Sequence, residues 1–65
     1  MTSREETFSL PCEFIRESDA AVLIIAEITG EEMWIPLSQV EEMHKKDGHG
    51  TIVMTRWIAQ KKGLI

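Results

Sequence analysis

The chain has 65 residues, a formal net charge of −4 and one cysteine. That length holds one domain, burying only about 60% of its unfolded surface. The lone Cys12 excludes an intramolecular disulfide and suits a reducing compartment, so stability must come from packing or from association with another subunit. No apolar run approaches the roughly 20 residues of a membrane span, and no apolar stretch of a secretion signal follows Met1–Glu6. We therefore expect a soluble protein that stays in the cytoplasm. Charge is uneven: residues 1–43 carry ten acids and two bases, residues 44–65 one acid and five bases.

Residues 1–6 are polar and are expected to be flexible, leaving 7–65 as a single small domain. In TFSLPCEF, Phe8, Leu10, Cys12 and Phe14 alternate with Thr7, Ser9, Pro11 and Glu13, the period of a half-buried strand. Pro11 cannot donate to a ladder, which predicts an edge strand or a bulge. RESD supplies a turn. AAVLIIAEI is apolar on both faces, Val22, Ile24, Ala26 and Ile28 on one and Leu23 and Ile25 on the other. Its β-branched content predicts a strand that is central or covered by something else. Thr29-Gly30-Glu31 predicts a hairpin turn, and EMWI the returning strand, stopped by Pro36.

Ser38 followed by Glu41 fits a capping box and predicts a helical turn from about Gln39 to Lys46, with Val40 and Met43 inward. DGHG breaks it. TIVMT predicts another strand. RWIAQKK has helical propensity, with Thr55 as N-cap, Gly63 at C′ and Leu64 placed to touch Ile58 or Ala59. The fold expected is α+β and mainly β: a small antiparallel sheet of about four strands, which can curl into an SH3-like partial barrel. One or two short helices accompany it, one of them C-terminal.

Catalytic chemistry finds little support. Cys12 could act as a nucleophile with His44 or His49 as base, but it is in phase with Phe8, Leu10 and Phe14 and there reads as a small hydrophobe. No nucleophile elbow or phosphate-binding glycine loop is present. His44, Asp47 and His49 fall within six residues, yet two lysines lie between them and the spacing matches no metal motif. No enzyme, metal or cofactor is expected. Arg56, Trp57, Lys61 and Lys62, with Lys45 and Lys46, could follow phosphates and stack a base, against an acidic remainder. Trp57 is more simply read as packing the helix onto the sheet.

The acids form clusters at Glu5/Glu6, Glu17/Asp19, Glu31/Glu32 and Glu41/Glu42. Displayed from one side of a small sheet, they could imitate phosphates in the basic groove of a nucleic-acid-processing complex, by salt-sensitive contacts. Trp34 alternates with Met33 and Ile35, so one side of that strand needs cover from elsewhere. The two-sided Ala21–Ile28 segment poses the same demand. More apolar surface than 65 residues can hide points to a partner, either a second copy or a target protein.

WIPLSQV after an ITGEE hairpin, closed by RWIAQKKGLI, resembles a group of short bacteriophage and prophage proteins, over residues 7–65. The resemblance implies a phage origin and a bacterial host cytoplasm. In size and charge the chain is similar to anti-CRISPR proteins as a class, which implies an inhibitor of host machinery. The function expected is a non-catalytic, phage-encoded modulator that inhibits or accompanies a host nucleic-acid-processing complex. Glu31, Glu32, Glu41 and Glu42 would supply electrostatic contacts and Trp34 an apolar anchor. The alternative is a nucleic-acid-binding accessory protein using Arg56, Trp57, Lys61 and Lys62.

Overall fold

Five antiparallel strands and one short helix make up the computed structural model, which describes residues 6–65. The strands are β1 (Thr7–Glu17), β2 (Ala21–Ala26), β3 (Glu32–Pro36), β4 (Val40–Lys46) and β5 (His49–Thr55), followed by helix α1 (Arg56–Lys61). They lie in the order β3-β2-β1-β5-β4. The flexible segment expected at 1–6 falls, apart from Glu6, outside the described residues. Among the described residues no helix is long and apolar enough to cross a membrane.

The connection between the outermost strands forces this sheet to curl. Laid flat, β3 and β4 would be four strand spacings, about 19 Å, apart. Only a 3-10 turn, Leu37–Gln39, joins them, and at about 2 Å of rise per residue it reaches about 8 Å. The sheet closes most of the way round, into a partial barrel that stays open between β3 and β4, which do not pair. Strand β1 makes the corner. Its residues 7–13 pair with β5 and its residues 12–17 with β2, so only Cys12 and Glu13 belong to both ladders. Two three-stranded sub-sheets thus share one strand.

The core lies between them: Leu10, Cys12, Val22, Ile24, Ala26, Ile35, Ile52 and Met54, with Ile58, Ala59 and Leu64 from the C-terminal segment. Helix α1 docks through Ile58 and Ala59. The Thr55 hydroxyl accepts from the Ile58 N–H (3.3 Å), as an N-cap does, and donates to Gln39 Oε1 (2.8 Å), tying the helix to the 3-10 turn. At the other end the Leu64 N–H donates to the Ala59 carbonyl and the Gly63 N–H to that of Gln60. These are the two bonds of a Schellman ending, with Gly63 at φ +76°.

Several expectations require correction. Residues 40–46 are a strand, not a helix, so five strands replace about four and α1 is the one α-helix among the described residues. Val40 pairs with Met54 but Glu42 with Val53. A bulge at Glu41 therefore turns Val40 and Met43, three residues apart, to the same side, an imitation of helical spacing. Ser38 makes no capping bond. β1 is the shared inner strand and not an edge, and the bulge it does carry lies at Ile15 rather than at Pro11. Pro11 is tolerated because its missing donor lies level with Glu27, just past the last β1–β2 pair, Cys12 with Ala26, where its carbonyl still accepts from the Glu27 N–H. Ile28 leaves the strand for the turn and is 67% exposed. Asp47 and Gly48, both at positive φ, make a two-residue hairpin between Lys46 and His49, and the Asp-Gly pair is its sequence signal.

Candidate protein-binding face

The outer side of the β1-β2-β3 sub-sheet carries side chains that the core does not use. Val22 and Ile24 point inward, so Leu23 and Ile25 point out, and on β3 Trp34 points out between Met33 and the buried Ile35. Pairing aligns these residues in rows. Leu23 is flanked by Trp34 and Arg16, Ile25 by Glu32 and Glu13, and Ala21 by Pro36. A second bulge adds to the face. Phe14 pairs with Ile24 but Arg16 with Leu23, so Ile15 is the extra residue and both it and Arg16 are turned outward.

Ile15, Ala21, Leu23, Ile25, Trp34 and Pro36 thereby form one apolar surface, with Ile15 and Trp34 each 42% exposed and the other four half-buried. Among the described residues no element lies over it. Glu13 and Glu32 border it on one side, where the turn after β2 adds Glu27 and Glu31. Glu13, Ile25, Ala26, Glu27, Gly30 and His49 line an open depression there.

Strand addition at the β3 edge is restricted. The Ala26 N–H donates to the Glu31 carbonyl and the Leu37 N–H to that of Ala20. With that phase Met33 and Ile35 bond to β2, while the backbone groups of Glu32, Trp34 and Pro36 face the free edge. Pro36 has no N–H to offer and Glu32 places a charge there, both familiar ways of blunting an edge. The side chains of the face, not the edge, are what this sub-sheet presents.

The acids expected to act together are divided. Glu31 and Glu32 belong to one sub-sheet, Glu41 and Glu42 to the other, on opposite edges of the sheet. Glu32 shares a row with Ile25, Glu13 and His49, whereas Glu42 is level with Val53 and Ser9, four residues or about 13 Å further along β1. All four are exposed, and Glu42 accepts from His44 Nε2 at 2.7 Å when that nitrogen is protonated. Trp34 joins only the first pair.

Of the basic residues, Arg56, Lys61 and Lys62 come together on the C-terminal segment, while Lys45 and Lys46 lie level with Gly50 and His49 at the other end of β5, Lys45 paired with Glu17 at 3.7 Å. Trp57 was expected to pack the helix down, but Ile58, Ala59 and Leu64 do so and Trp57 is 56% exposed. Lys61 Nζ stands 5.2 Å from its ring centroid, four residues on along the helix. Arg56 and Lys62 are exposed beside them.

Cys12 is fully buried, and loss of hydration pushes its thiol up to about 11, with the charge of Glu27 adding to the rise. It is a protonated core group at neutral pH, a poor nucleophile. Among the described residues no three His, Cys, Asp or Glu side chains are grouped to hold a metal ion.

No family model, no curated protein and no solved structure matches the chain. What the face can bind follows from its own chemistry. Arg16, read from the sequence as the start of the RESD turn, and Ile15, assigned there to no element, are its missed members. Their signal was the adjacent apolar pair Phe14-Ile15, which breaks the alternation of β1.

Proposed function

We propose that this chain is a non-catalytic protein-binding module whose contact surface is the outer face of β1, β2 and β3. One observation carries the reading: six apolar side chains, Trp34 among them, lie side by side on a sheet face that no described element of the chain covers. Contiguous apolar surface of this kind is characteristic of protein contacts, and tryptophan is a common anchor in them. The acids at one border, Glu13, Glu27, Glu31 and Glu32, favour a partner with basic groups around an apolar site. This suits the phage-type modulator of a host nucleic-acid-processing complex, with Glu31, Glu32 and Trp34 acting together and Glu41 and Glu42 apart from them.

Exposed Trp57 with Lys61 over its ring supports a second reading, a nucleic-acid accessory that stacks a base on Trp57 and meets phosphates with Arg56, Lys61 and Lys62. A pull-down from bacterial lysate, with and without nuclease, separates the two. The module reading predicts protein retained after nuclease, lost with Leu23→Glu and kept with Lys61→Ala/Lys62→Ala. Binding that disappears with nuclease and with the lysine variants, yet survives Leu23→Glu, would overturn it.

A further inference from the structure

We infer that the protein occupying the outer β1-β2-β3 face is a second copy of this chain, packed on it about a two-fold axis that runs across the strands. The inference rests on reading that face as a protein interface and adds the identity of its occupant.

The charges on the face select this arrangement. One row reads Arg16, Leu23, Trp34, and the next reads Glu13, Ile25, Glu32, taken across β1, β2 and β3 in that order. A closed dimer needs a surface complementary to itself, in which residue i meets residue j and j meets i. Two in-plane axes can stack these faces. An axis along the strands lays β1 over β3 of the other copy; it stacks Arg16 on Trp34 of the partner subunit, a cation–π contact, but sets each Glu13 against a Glu32 and leaves no carboxylate opposite a guanidinium. An axis across the strands, passing between the rows, lays each strand antiparallel over its own copy. Arg16 then faces Glu13 of the partner subunit twice over. Leu23 faces Ile25 of the partner subunit twice, which makes the dry centre. Trp34 faces Glu32 of the partner subunit, where an indole N–H can donate to a carboxylate.

Ile15, turned outward by the bulge, adds apolar area at the β1 side. The bulge has a purpose in this arrangement. Regular alternation would point Arg16 toward the core side, and the extra residue is what brings its guanidinium out beside Leu23. Sheets packed face to face leave about 10 Å between them for both layers of side chains, and every position in the two rows is occupied by a side chain that reaches into that gap. Edge pairing offers no competing route, because Pro36 and Glu32 blunt β3, while β4 is bulged at Glu41 and charged at Lys45 and Lys46. The contact is small. Three strands of five to six residues cover about 17 by 14 Å on each copy, well short of the roughly 800 Å² per partner of a standard interface, so the association is a weak, concentration-dependent one.

Sedimentation equilibrium of the full chain, from low micromolar to near-millimolar concentration, tests this through a charge exchange. Wild type is expected to be a monomer–dimer system. Arg16→Glu and Glu13→Arg are each expected to weaken dimerisation at least tenfold, roughly the cost of setting like charges together, and the double variant to recover most of the loss. Circular dichroism on each variant separates misfolding from dissociation, and Leu23→Glu gives the monomeric reference. A wild-type chain that stays monomeric throughout, or a double variant no better than its parents, overturns the two-fold dimer. Loss of pull-down partners with Leu23→Glu in a monomeric protein would still uphold the face as a protein interface, so the two claims fail separately.

Discussion

Replacing Thr55 by valine removes one hydroxyl that does two things and changes little else in shape. That hydroxyl accepts from the Ile58 N–H at the start of α1 and donates to Gln39 Oε1 in the 3-10 turn. Loss of an N-cap costs about 1 kcal/mol. Leaving the part-buried Gln39 amide without its donor costs about 1 kcal/mol more. The total, about 2 kcal/mol, is large beside the roughly 3–10 kcal/mol expected of a domain of this size. An unfolding entropy of about 2.1 cal/mol/K per residue gives about 7 °C of melting temperature per kcal/mol, so Thr55→Val is expected to melt about 14 °C lower. Gln39→Leu loses only the second bond and is expected to fall about half as far. Thr55→Ser keeps both groups and should stay near wild type. The assay is thermal unfolding followed by far-ultraviolet circular dichroism. A Thr55→Val melting point within about 3 °C of wild type would refute the idea that this side chain joins the helix to the barrel.

Other consequences can be checked on the same samples. Gly50→Ala is expected to be severely destabilising, because its Cβ would run into the backbone carbonyl of His44 on the neighbouring strand; denaturant titration would show a fall well beyond the ~1 kcal/mol common for point changes. Leu64→Ala is expected to cost about 2–4 kcal/mol as a buried core truncation, whereas Trp57→Ala, at an exposed site, is expected to stay within about 0.5 kcal/mol. The Cys12 thiol in the folded chain, raised to about 11 from an ordinary 9.0, favours folding by remaining protonated. Its contribution is full below pH 9 and declines as the pH rises through about 11. Urea unfolding across that window should therefore show a loss in wild type that Cys12→Ala lacks.

Local chemistry made most of the elements legible. Alternation gave β1, Gly30 gave the β2–β3 turn, and Thr55 with Gly63 and Leu64 gave both ends of α1, because caps and turns are decided within a few residues. The failures share one cause. Bulges at Ile15 and Glu41 change the phase of a strand, and a bulge is defined by its pairing partner, which lies far off in sequence. At Val40 and Met43 that phase change looked like a helix, and at Ile15 and Arg16 it hid two members of the candidate face. Pro11 was misplaced for a related reason: whether a proline is tolerated depends on where the neighbouring strand ends. The surplus of apolar residues on β2 and β3 was legible, since it follows from counting faces. Trp57 was not, because a six-residue helix has little surface to bury and Ile58, Ala59 and Leu64 already use it.

Whether a second copy of the chain covers the outer β1-β2-β3 face is read most directly at Trp34. Trp57→Phe leaves Trp34 as the one tryptophan, and acrylamide quenching of its fluorescence reports how open the face is to solvent. For a dimerising chain, quenching is expected to fall as protein concentration rises from low micromolar toward millimolar, and Leu23→Glu to abolish the fall. Quenching that stays the same at every concentration would contradict the two-fold dimer.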